Sequence, residues 1–295
     1  MTRTTSQTTP VESGRPNAWI NSICNADWYD RIAWMTLFVV LLVAHTVFYQ
    51  VFAGACLIAA TIWRSARRSP WIWLTVVAVF TPRLLLDWYD NEDHVYLTIY
   101  WCTALALGSW GPDTRQVIAW NARLLVGLAF LFATAWKLAS PAFYDGSLCT
   151  YKLLYDYRFR TVMTEPLCGL SSQDVDANQT AMISLTQTGS RLDEVSLEYP
   201  DRVIWLAKFL AGWTILIEGT LAVVFLLPPT WVRSCYRHTM LIVFSLTTYL
   251  VVPVLGFGLL FMTMGYAQTS ENEARFRRAY LATSWLLLLR FGLIA

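Results

Sequence analysis

Apolar positions gather in seven long runs, Ile32–Trp63, Trp71–Leu86, Val95–Trp110, Val117–Leu138, Val203–Leu227, Met240–Tyr266 and Ala279–Ile294, separated by polar connections. Several approach or exceed the roughly 20 residues with which a helix crosses the hydrocarbon of a bilayer. The pattern predicts an all-α fold, a polytopic integral membrane bundle of seven or eight spans, with boundaries set to within several residues. The first run is 32 residues long and carries His45 and Gln50 near its middle. It is either one tilted helix or a helix followed by a second short crossing. Residues 1–30 form a polar N-terminal segment without the apolar core and small-residue cleavage site of a secretory signal, which leaves insertion to the first span. Residues 31–295 then make a single transmembrane domain with one long loop, 139–201, inserted into it.

Charged residues orient the runs. Arg64, Arg67 and Arg68 lie between the first two, Arg115 precedes the fourth, and Arg233 and Arg237 precede the sixth. The excess of arginine on cytoplasmic loops makes these connections cytoplasmic, and the acid-rich stretches Asp87–Asp93 and Ala139–Asp201 external. Arg275, Arg277 and Arg278, before the last run, break the alternation. The long external loop is either a lid over the outer face or a tether. Its first third carries Phe143, Tyr144, Tyr151, Tyr155, Tyr157 and Phe159 and is expected to pack, whereas Ser171–Ser190 is polar and expected to be mobile.

Composition agrees with a membrane protein: 56% hydrophobic residues, 14% charged, and a mean hydropathy of +0.43. A formal net charge of +2 spread over loops offers no basic patch to nucleic acid, and no phosphate-binding glycine loop or zinc-protease pattern occurs. The six cysteines show no metal-ligand spacing, so no metal is expected. Cys149 and Cys168 share the long loop and either close a disulfide in an oxidising compartment or remain free thiols. Asn178-Gln179-Thr180 fits the glycosylation sequon. The multi-pass chain belongs in a bacterial inner membrane or, alternatively, a eukaryotic secretory membrane.

Candidate chemistry lies where runs meet loops. Lys137 ends the apolar stretch Leu124–Trp136. A lysine there either snorkels its charge into the headgroups or, losing hydration, becomes a usable base. His94 opens the third run from the same side, and a short cytoplasmic connection makes the third and fourth runs antiparallel neighbours. The two side chains are therefore expected to face one external pocket, Lys137 as catalytic base with no carboxylate nearby and His94 as its partner. Arg83 and Asp87 are four apart and read as an orienting ion pair. Glu218, in the middle of its run, is either protonated, paired with a cation on another helix, or facing a wet cavity. Lys208 is ten residues away on the same helix, too far to pair. Arg290 reads as a snorkelling arginine.

The run from Arg123 through Lys137-Leu138, followed by Phe143, Asp145 and Gly146, resembles the lysine-bearing segment of the vitamin K-dependent gamma-glutamyl carboxylases and their bacterial relatives, the HTTM proteins. The stretch Asn91-Glu92-Asp93-His94-Val95-Tyr96-Leu97 is similar to the asparagine-rich turn and His-x-Tyr-Leu of that family, whose histidine lines the quinone site. The likeness in the order of apolar runs covers roughly residues 30–265, and only these two segments are specific. It implies a lipid quinol, vitamin K-like, deprotonated by Lys137 and held by His94 and Tyr96, with quinol-driven oxidation or carboxylation to follow. Where the family places a second quinone-site histidine, the stretch 243–252 offers Thr247 and Thr248. No large extramembrane substrate domain fits before Ala295, so carboxylation of a propeptide-bearing protein is not expected. The resemblance equally implies a non-catalytic membrane partner that matures or exports a secreted peptide, alone or with a partner subunit. A transporter is a third reading, without repeated halves or paired broken spans to carry it.

Overall fold

The chain is helical throughout the residues that the computed structural model describes, 27–86, 88, 92–188, 197, 199–252 and 254–292. The polar segment before Asp27, and Asp87 with its expected link to Arg83, lie outside them. Asp27 starts α1 (Trp28–Leu42) by accepting the Asp30 amide at 3.0 Å, satisfying one of the donors that a helix start leaves open. The long first run then breaks at 43–46, and α2 (Val47–Ile62) returns alongside α1. It is thus a helix hairpin. After the short α3 (Arg64–Arg68), Pro70 opens α4 (Pro70–Leu86), where its missing amide costs nothing. Next come α5 (Asp93–Trp110) and α6 (Thr114–Ala139), joined by a tight turn at Gly111.

Among the described residues of the long loop are four short helices, α7 (Pro141–Tyr144), α8 (Ser147–Tyr155), α9 (Tyr157–Phe159) and α10 (Glu165–Cys168) after a π-turn at Arg160–Thr164, and the longer α11 (Ser172–Thr188). The chain returns through α12 (Asp201–Leu226), α13 (Ser234–Tyr249), α14 (Leu255–Ala267) and α15 (Ala274–Gly292). The run Met240–Tyr266 is therefore two helices, separated by a turn at 250–254 whose apolar residues conceal it in a hydropathy profile. Arg290 Nε donates to Leu250 O at 3.0 Å and satisfies a carbonyl at the end of α13, a structural task where snorkelling was expected.

Nine of the described helices, α1, α2, α4–α6 and α12–α15, pack as an up-and-down bundle. Connections 63–69, 111–113, 227–233 and 268–273 share one end, so Arg275, Arg277 and Arg278 join the other arginines there and the broken alternation is restored. Trp73, Trp101, Leu105, Ile118, Phe244, Phe261 and Tyr280 fill the core. These two indoles are satisfied in place: Trp101 Nε1 donates to Thr36 Oγ1 and Trp73 Nε1 to Tyr29 Oη, each at 2.9 Å. Large apolar side chains also cover the outside, among them Trp205, Leu216, Phe209, Trp285 and Leu289. Two helices, α6 and α12, are long and apolar enough to cross a membrane by themselves.

These two pack antiparallel and close. A methyl group on Gly127 would lie 2.8 Å from the Leu226 side chain, and one on Gly219 would lie 3.4 Å from Thr134, so small residues set the approach. The same contacts stagger the pair. The first part of α12 runs past the end of α6, and Val203 and Ala207 pack into a second apolar cluster with Leu153, Leu154, Cys168 and Leu170 of the loop. Gly146 turns the chain from α7 into α8 with φ +85°, where a side chain would also press on the Lys208 backbone at 3.3 Å. The described part of the loop is thus a folded cap. Ser171–Ser190, expected to be mobile, contains α11, held by Val175 in the cluster and by Arg160 Nη1 to Asp176 Oδ1 at 2.8 Å. Asn178 of the sequon stands on this helix and is buried. Cys149 and Cys168 are free thiols, which corrects the disulfide alternative. Cys168 is sealed in the cluster, while Cys149 borders a separate 270 Å³ cavity beside Thr247 and Trp213.

Candidate functional site: a buried lysine–glutamate pair in an aromatic cavity

Lys137 stands two residues before the end of α6, and the stagger sets that end against the middle of α12. Its Nζ lies 2.5 Å from Glu218 Oε2, with side-chain exposures of 15% and 9%. Pairing with a cation on another helix is therefore the state of Glu218, and the expectation of a lysine with no carboxylate nearby is overturned. The ammonium also lies 5.5 Å from the Phe143 ring centre, over its face.

The pair faces a cavity of about 650 Å³, a size suited to a small organic ligand. Its walls are aromatic. Phe130 and Phe261 stack at 4.8 Å, Phe257 continues the stack against Phe261 at 5.7 Å, and Phe244 meets Phe130 edge-on. Asp93, Tyr96, Thr248 and Tyr249 add polar groups to the lining. Tyr100, Phe132 and Trp136 line it too and are exposed by 60%, 67% and 60%, so the cavity opens sideways through the flank of the bundle.

Helical phase decides which sequence candidates reach this space. Along α5, residues 93, 96, 97 and 100 share one face and line the cavity. His94 is turned about 100° from Asp93. Its imidazole packs edge-on against Phe257 at 5.4 Å, its Nδ1 lies 3.0 Å from Glu92 Oε2, and it borders a second cavity of about 630 Å³ with Lys152, Asp156 and Arg158. The expected shared pocket for His94 and Lys137 is corrected accordingly: the Phe257 ring, which lines the lysine cavity, stands between them. Only glycine fits at 256, since a methyl group there would lie 2.5 Å from the imidazole.

Tyr96 and Thr248 line the lysine cavity, the Tyr96 hydroxyl donating to Trp88 O at 2.5 Å. Thr247 does not. Its hydroxyl bonds back to Val243 O at 2.9 Å, and it borders the Cys149 cavity instead. Arg83 sits 5.6 Å from the Tyr49 ring centre, and its Nη1 has no hydrogen-bond partner among the described residues. The reading of the sequence missed Asp93 and Tyr249. A signal for Asp93 was available, because it precedes Tyr96 by three positions on the same helical face. In the cap, burial would raise the Asp156 carboxyl, but hydrogen bonds from Arg158 hold it below the ordinary carboxylate range. No metal-binding cluster of His, Cys, Asp and Glu occurs among the described residues. No family model, curated protein or solved structure matches the chain.

Proposed function

We propose that the chain is a polytopic membrane protein similar to the carboxylase-like HTTM proteins, and that it binds a lipid quinol in the lysine cavity and exchanges a proton with it. The observation that carries this is the Lys137–Glu218 pair, buried at 2.5 Å in an aromatic cavity that opens sideways. Arginine gathered at one end of the bundle and large apolar side chains over its outside support the membrane placement. The cavity fits the group: flat aromatic walls suit a ring, the lateral opening suits a prenyl tail, and a few polar groups at one end suit ring oxygens. Such a quinol supplies a weakly acidic ring hydroxyl.

The chain's own residues do the rest. In a medium of low polarity the charged pair, ammonium and carboxylate, is close in free energy to the neutral pair, amine and carboxylic acid. A proton that moves along the short bond to Glu218 leaves Lys137 as a neutral amine facing the cavity. Lys137 can then take a hydroxyl proton, and the resulting ammonium favours the anion left behind. Tyr96 and Thr248 are placed to orient the ring oxygens. His94 is assigned no contact with the ring.

One observation favours the non-catalytic alternative, a membrane partner in the maturation or export of a secreted peptide: Glu218 already neutralises Lys137. Binding experiments on the detergent-purified protein test the proposal. Its lipid extract should contain a quinone at near-equal molar amount, and a short-chain naphthoquinone should quench Trp136. Phe130→Trp, which overfills the cavity, should weaken that binding at least roughly tenfold. A wild-type protein that carries no quinone and shows no quenching would sink the proposal.

A further inference from the structure

A second set of titratable groups lies in the core, on the helix that supplies Tyr249 to the cavity. Near the arginine-rich end, His238 of α13 is 2% exposed. Its Nδ1 lies 2.8 Å from Tyr280 Oη of α15, and its Nε2 lies 3.5 Å from Glu273 Oε2 in the connection before α15. Glu273 reaches the surface and is held by Ser234 Oγ at 2.6 Å and by the Ser270 amide at 2.8 Å. Arg237 and Arg123 are the cations nearby. Tyr280 is wholly buried, and its ring fits only because residue 265 on α14 is glycine, a methyl group there falling 2.3 Å from the ring.

Seven residues further along α13 stands Ser245, also wholly buried. Buried hydroxyls in this bundle usually bond to the carbonyl one turn back, as Thr98, Thr263 and Ser284 do. The Ser245 hydroxyl has no hydrogen-bond partner among the described residues, a costly state unless water serves it. On a helix, positions 238, 245 and 249 lie within about 20° of one line. His238, Ser245 and Tyr249 therefore form a file of proton-carrying groups along one buried stripe, from the arginine-rich end to the cavity that holds Glu218 and Lys137.

We infer that α13 carries a proton path between the arginine-rich face and the Lys137–Glu218 pair. A proton collected at the Glu273 carboxylate passes to His238 Nε2, the Nδ1 proton leaves to Tyr280 Oη, and the Tyr280 proton moves on through water beside Ser245. It reaches Tyr249 Oη, whose own proton goes to the Glu218 carboxylate. Each group takes one proton and gives one, so no charge is left along the file. Ser245 is a positioning residue, holding water partway along the roughly 16 Å of helix that separates positions 238 and 249. The inference rests on the proposed proton exchange at Lys137–Glu218, but it needs no quinone.

The test uses wild-type and variant proteoliposomes on a solid-supported membrane, with no quinone present. A step from about pH 8 to about pH 6 should drive a transient charge displacement as protons enter the bundle. Glu218→Gln should abolish the displacement. Ser245→Ala should slow it at least roughly tenfold, while Ser245→Thr, which keeps the hydroxyl, stays within about twofold of wild type. Ser245→Ala leaves every hydrogen bond between described protein groups in place, so its melting temperature should stay within about 4 °C of wild type, which separates a lost path from a lost fold. Absence of displacement in the wild type, a wild-type rate in Ser245→Ala, or full displacement in Glu218→Gln overturns the inference. Failure of quinone binding alone leaves these recordings unaffected.

Discussion

Lys137 and Glu218 were each legible in the sequence as residues with a problem to solve, one at the edge of an apolar run and the other in the middle of one. Their shared solution was not legible. It joins residues 81 apart in the chain and depends on the stagger of α6 and α12, which is set by Gly127 and Gly219 packing against Leu226 and Thr134. His94 shows the opposite failure, for its position in the sequence was right and its helical phase, with Phe257 beside it, took it elsewhere. The pair yields a stability prediction with a clear sign. Lys137→Ala strands a buried carboxylate and should cost about 3–5 kcal/mol, whereas the apolar double replacement Lys137→Met with Glu218→Leu should be close to neutral or stabilising. Thermal unfolding in detergent reads both. A single variant as stable as wild type would mean that Glu218 is not held in a dry site.

Elements were legible where polar residues interrupt apolar ones and hidden where they do not. The break after α1 had His45 to mark it, while the turn between α13 and α14 is apolar and had only Pro253 in the sequence. The cap helices were hidden because their apolar faces are short and find a partner only on α12, beyond the reach of any local pattern. Between α14 and α15, Glu273 fastens two elements, bonding Ser234 of α13 and Ser270 of its own turn. Burial would raise its carboxyl, but the bonds from Ser234 and Ser270 and the nearby His238 bring it down to about 2. An unfolded glutamate titrates near 4.3, so the folded form is favoured by this group above roughly pH 5 and loses that support as pH falls through about 4 towards 2. The melting temperatures of wild type and Glu273→Gln should therefore differ by a constant amount above pH 5 and converge below pH 4. A gap that widens on acidification would contradict the bonding seen.

At the scale of the whole molecule, two long apolar runs prove to be hairpins, the first of them one of the two readings left open by the sequence, and this has a topological consequence. On the proposed membrane placement the nine helices are nine crossings, so the connections holding Ser65 and Asn272 should face one compartment, and Ser172 and Val252 the other. Single cysteines at these positions, probed in intact cells with an impermeant reagent, should label in those two sets, and joint labelling of Asn272→Cys and Val252→Cys would exclude the hairpin. The helical bundle and its arginine bias were readable from composition and hydropathy, but the number of helices required knowing where the chain turns. The lateral opening between Tyr100, Phe132 and Trp136 changes how occupancy must be counted. On the proposed membrane placement, a ligand that arrives through the flank searches in two dimensions, and its chemical activity is set by its mole fraction in the lipid. Saturation curves taken at different lipid-to-protein ratios should then superimpose when plotted as moles of ligand per mole of lipid, and should spread apart when plotted against total molarity.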